Sequence, residues 1–248
     1  MSNVFLSASF ITLAEREIGC IDDEACFGKV YGFRPSSLIT VIATISGLMS
    51  ACFLPVVGAI IDFTKYRRIM GRTFATLIIT IQAVQIGTIE TTWFAMAILQ
   101  ALNGFFYQGL TVVAYAHLTE IKAAVGEDTM INYSSRYQMW MFGSQSVYLI
   151  LVIGITVLLK VSSDDIITAH IGQSLDVVIS GFCYWLAFYF FTPKKPRRKL
   201  PKGTSLASAG FKQVFQTAKG IFEHYRSTLT CFYSGVIFGE AGKQRKHI

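Results

Sequence analysis

Between residues 100 and 111, four side chains able to both donate and accept hydrogen bonds recur at a helical interval: Gln100, Asn103, Tyr107 and Thr111. At about 3.6 residues per turn they share one face, and their paired donor and acceptor capacity suits a polar or zwitterionic solute. Set in an apolar stretch, such a face either lines a central cavity or hydrogen-bonds a neighbouring helix. Gln145 and Asn3 add to the cavity candidates, while Gln82 and Gln85 are expected to pack. Asp176 is the one acid inside an apolar run. A carboxylate there is costly unless it is paired, hydrated or protonated, which makes Asp176 a proton-coupling candidate. The alternative is a span that begins near Gly172 and leaves Asp176 hydrated, one turn below the outer surface. The histidines (117, 170, 224, 247) and cysteines (20, 26, 52, 183, 231) are dispersed without metal-ligand spacing. No Ser–His–Asp set, zincin helix or phosphate-binding glycine loop can be assembled, so enzyme chemistry, a metal and a cofactor are not expected.

The elements that hold these residues must sit in lipid. Of 248 residues, 52% are hydrophobic and 15% charged, with a mean hydropathy of +0.48. Soluble domains carry about 25% charged residues, so a disordered chain, a disulfide-stapled secreted domain and a nucleic-acid-binding domain are excluded as classes. The net charge of +7 is local: residues 192–226 hold nine Lys or Arg against Glu223 alone. A basic linker beside apolar runs fits a cytosolic membrane surface, with the bilayer rather than a nucleic acid as partner.

A spanning helix needs about 20 apolar residues, and five clear candidates follow: Leu38–Ile61, Thr73–Ile89, Thr91–Leu118, Tyr137–Leu159 and Ile166–Phe191. Asn3–Ala14 reads as the second half of a first helix, without the basic start or cleavage site of a signal peptide. Ser227–Ala241 reads as a seventh helix that stops early. The domains expected are a six-helix membrane half over 1–191 with its first helix truncated, a basic cytosolic linker over 192–226, and a truncated helix over 227–248. Loops 62–72, 119–136 and 192–226 hold fifteen Lys or Arg and the alternate loops four, which puts the former and the N-terminus in the cytosol. By the same rule Lys243, Arg245 and Lys246 fall on the wrong side, as in a truncated product. Ala43, Gly47, Ala51 and Pro55, spaced four apart, are expected to pack closely against another helix. Cys20 and Cys26, together in an outward loop, could pair or stay as thiols.

Six helices, a basic cytosolic linker and the start of a seventh resemble one half of a major facilitator superfamily transporter. The superfamily's loop signature, Gly, three residues, Asp and a basic cluster, is matched by Gly58, Asp62 and the basic residues Lys65, Arg67 and Arg68. Phe63 stands where a basic residue follows the Asp, Lys65 replaces the second Gly, and the Arg pair sits one place late. In these departures, and in Leu200–Ser205, Gly210-Phe211 and Tyr225, the chain is similar to the vacuolar autophagy-related permeases. That resemblance implies an all-α polytopic fold and efflux of small amino acids from the vacuole by alternating access. It also implies a vacuolar membrane location and a gating latch of Gly58, Asp62, Arg67 and Arg68 against a C-terminal half not encoded here. The Arg pair alone also fits plain membrane-surface anchoring. The alternative reading is a non-transporting truncated membrane fragment.

Overall fold

An apolar run in lipid must satisfy its own backbone polar groups, and a helix does so locally. The computed structural model describes residues 2–19, 28–161, 164–190 and 205–224. Among these residues the chain is all-helical apart from one isolated bridge between Val30 and Phe33. The helices are α1 (Ser2–Ile18), α2 (Leu38–Phe63), α3 (Arg67–Gln85), α4 (Trp93–Val125), α5 (Glu127–Leu158), α6 (Asp165–Phe190) and α7 (Leu206–His224). A single 3-10 turn, Pro35–Ser37, leads into α2.

Four described stretches are long and apolar enough to cross a bilayer: Pro35–Phe63, Trp93–His117, Thr129–Leu158 and Asp165–Ala187. Five are expected from the apolar runs. The third helix is the difference, because it begins at Arg67 rather than Thr73 and ends at Gln85, four residues short of Ile89. Its first turns therefore carry Arg67, Arg68 and Arg72. The tight turn after it is held by Gly87 N–H donating to the Val84 carbonyl at 3.0 Å.

Apolar side chains cover the outside. Leu158 is 82% and Trp140 78% exposed, surface that would drive association in water and is ordinary against lipid. The centre is α4, 44% of whose apolar stretch is buried against 17% in the other three. It packs on α3, α2, α5 and α1, while α6 rests on α1 and α3 and α7 rests on α2. At 33 and 32 residues, α4 and α5 are each about 50 Å long. They outreach a hydrocarbon core of about 30 Å and meet at Gly126, whose φ of +87° suits glycine alone at this break.

Two apolar cores lie apart along the bundle. One gathers Leu6, Phe10 and Leu13 of α1 with Trp93, Ala97 and Ala169. The other gathers Val57 and Ile61 of α2 with Phe74, Ile78, Leu110 and Val113. At the first end Thr12 Oγ1 donates to Asp165 (2.9 Å), Trp93 Nε1 donates to Glu17 (2.7 Å), and Tyr31 stacks on Phe94 at 4.4 Å. At the second end α7 packs against α2.

The small-residue stripe of α2 does not pack as expected. Ala43, Gly47 and Ala51 are exposed, and nothing lies within 4 Å of a Cβ built on Gly47. Only Pro55 is closely approached, its carbonyl lying against Gly210 of α7. That helix occupies part of the expected linker, residues 206–224. The expected seventh helix over 227–248, and Cys20 with Cys26, lie outside the described residues.

Candidate functional site

Between the two apolar cores, α3, α4 and α6 bring their polar residues together. From α3 come Gln82 and Gln85, from α4 Gln100 and Asn103, and from α6 Gln173 and Asp176. Gln85 Nε2 donates to Gln100 Oε1 at 2.9 Å and to the Met96 carbonyl at 3.2 Å. Gln82 Nε2 donates to Asp176 Oδ2 at 2.9 Å, and Ser180 Oγ donates to Oδ1 at 2.8 Å. Gln85 and Gln173 are fully buried and Asn103 is 2% exposed. The side-chain oxygens of Gln82, Gln85 and Asn103, and both polar atoms of Gln173, have no hydrogen-bond partner. Burying an unpartnered amide costs about 1–3 kcal/mol. A layer with several of them retains hydrogen-bonding capacity for something other than protein.

Asp176 is central to this layer. Because α6 begins at Asp165, its carboxyl lies eleven residues along, about 16 Å from the helix start. Tyr148 Oη donates to the Gly172 carbonyl at 2.8 Å, and the phenols of Tyr148 and Tyr184 lie within electrostatic reach of Asp176. One turn and a half nearer the helix start, His170 Nε2 meets the Thr88 carbonyl at 2.8 Å.

The four α4 residues divide. Gln100 and Asn103 belong to the buried layer, whereas Tyr107 is 48% exposed and Thr111 turns its hydroxyl back to the Tyr107 carbonyl at 2.9 Å. Gln82 and Gln85 pack, and in packing they supply the partners of Asp176 and Gln100. Gln173 and Ser180 were not singled out in the sequence, although both sit one turn from Asp176 on the same helix.

The Gly58–Arg68 segment forms the end of α2, a short turn and the start of α3. Asp62 Oδ2 accepts from Gln213 Nε2 of α7 at 3.0 Å. Arg67, only 6% exposed, donates to the Ile61 carbonyl at 3.3 Å. No atom lies within 4 Å of a Cβ built on Gly58, so the close backbone approach falls at Pro55 and Gly210 instead. Gly58 and Asp62 border an open groove of about 780 Å³ between α2, α4 and α7. From α4 the groove receives Gln108 and Val112, not the four residues marked by spacing. A second hollow of about 450 Å³, between α3 and α6, has Arg72, Tyr184 and Trp185 in its wall.

No family model matches this sequence, and no curated protein or solved structure is detectably similar to it. Geometry therefore carries the functional reading. Among the described residues no three or more His, Cys, Asp or Glu side chains gather as metal ligands would. What α3, α4 and α6 bring together is a buried layer of amides around one carboxyl.

Proposed function

We propose that α1–α6 form the N-terminal six-helix half of a major facilitator secondary transporter of the kind seen in vacuolar autophagy-related permeases. Together with a second six-helix half, it passes small polar solutes, amino acids foremost, across the vacuolar membrane by alternating access. The observation that supports this most is the buried polar layer of Gln82, Gln85, Gln100, Asn103, Gln173 and Asp176 inside helices whose outer faces are apolar. Polar groups are retained at such depth where they serve a solute or ion path. In this reading Gln100, Asn103, Tyr107 and Thr111 line the solute cavity. Asp176 exchanges a proton with the transport cycle, and Gly58, Asp62, Arg67 and Arg68 form the latch. Transport needs both facing states accessible, so the latch holds by only a few kilocalories.

Vacuolar vesicles from cells with and without the chain provide the test. Labelled neutral amino acids should leave faster from vesicles that contain it. Asp176→Asn should abolish dependence on the pH gradient while leaving solute exchange in place. Equal efflux from both kinds of vesicle would refute the proposal.

A further inference from the structure

The groove between α2, α4 and α7 has a composition distinct from the polar layer. Its wall is mostly apolar or small, with Leu54, Pro55, Val112 and Val214 among its residues, and among the described residues Asp62 is its single charged side chain. Nearby, Arg67 donates to the Ile61 carbonyl, and Lys65 Nζ lies 6.0 Å from the Tyr66 ring centre. Among the described residues Asp62 accepts a hydrogen bond from Gln213, a neutral amide. Ser50, 3% exposed and with its hydroxyl unpartnered, borders the groove twelve residues before Asp62, about 18 Å along α2. The volume of about 780 Å³ lies within the range of small-molecule sites, about 300–1,000 Å³.

From this we infer that the groove binds a small amphiphilic cation, its apolar body along α2 and its positive head at Asp62. Charge selects the ligand. A free α-amino acid would bring a carboxylate to a wall whose described residues include no cation, and a phospholipid would bring its phosphate to Asp62. A cation with an apolar body meets a matching surface at both ends, and cation–carboxylate contacts strengthen as water is excluded. The site shares Asp62 with the proposed latch, but its test reads binding alone, so a failure of transport and a failure of this site are distinguishable.

The test uses the full chain in nanodiscs of neutral phosphatidylcholine, with tetraphenylphosphonium as the probe and triphenylphosphine oxide as its uncharged counterpart, both by equilibrium dialysis. Saturable one-site binding of the cation is expected, with the oxide at least tenfold weaker. Asp62→Asn should weaken the cation at least tenfold and leave the oxide unchanged. Ala51→Phe, which fills the wall away from the acid, should weaken both. At Gln213 the two charge changes should act in opposite directions, Gln213→Glu tightening the cation and Gln213→Lys abolishing it. Helix content and monodispersity of each variant report folding, and the Gln213 pair decides the matter if Asp62→Asn does not fold. Equal binding of both probes, a cation affinity indifferent to Asp62 and Gln213, or no saturable binding would overturn the inference.

Discussion

Replacing Gln82 by Met isolates the contact on which the polar layer turns. Met keeps the length and packing of the side chain, which is only 7% exposed, and removes the Nε2 donor lying 2.9 Å from Asp176 Oδ2. Ser180 then remains as the donor to that carboxyl at 2.8 Å. Neutral interhelical hydrogen bonds in membrane proteins average about 0.6 kcal/mol, whereas bonds to charged groups are worth about 1.5–3 kcal/mol. Asp176 is half-buried rather than sealed, so the coupling between Gln82 and Asp176 should fall between those values, at about 1–2 kcal/mol. The assay is a double-mutant cycle of Gln82→Met with Asp176→Leu, by equilibrium unfolding in mixed micelles followed by circular dichroism. Additivity within about 0.3 kcal/mol, the behaviour of independent sites, would refute the assignment of this pair as the centre of the layer.

Three further outcomes are expected. Gln213→Lys sets an ammonium beside Asp62, so carbodiimide should join the two peptides in a zero-length link seen by mass spectrometry. Adding Gly210→Leu, which drives a side chain into the Pro55 carbonyl, should abolish that link. Gly109→Ala puts a methyl 2.8 Å from the Phe74 ring and should destabilise by about 1–3 kcal/mol in the same micelle assay. Gly154→Ala meets nothing within 4 Å and should leave stability unchanged or slightly raised. Finally, with all five cysteines replaced by serine, Lys65→Cys and Lys160→Cys should react with an impermeant maleimide from opposite sides of the membrane.

The apolar runs locate the helices well but not their ends, and the reason is physical. Run length measures hydrocarbon thickness, while helix length is set by backbone hydrogen bonding and by breakers. Thus α2 ends two residues beyond the expected Ile61, but α5 begins ten residues before Tyr137, at Glu127. Polar residues there continue the helix outside the lipid until Gly126 stops it. Arg67 and Arg68 are charged, which points to a loop, yet they open α3. The α7 helix was hidden in a basic segment, since its phenylalanines (Phe211, Phe215 and Phe222) recur at a helical interval too sparse to register as an apolar run. Within the polar layer, Asp176 and the α4 face were legible from single helices. The pairing of Gln82 with Asp176 was not, because it joins residues 94 apart in sequence through a crossing that no one-helix pattern encodes.

The turn between α2 and α3 has a consequence for motion. Thr64 N–H and Oγ1 both donate to the Ile60 carbonyl, at 3.1 and 2.6 Å, and the Arg67 guanidinium donates to that of Ile61. Arg67 is thus an unfavourable charge at the positive end of one helix dipole and a favourable one at the negative end of the other, each effect typically worth about 0.3–1 kcal/mol. The contact of Arg67 with the end of α2 offsets part of the cost of starting α3 with cations. Any rocking that parted the two helices here would lose that cap. The two helices should therefore swing as one stiff lever, and a hinge in this bundle has to be sought elsewhere.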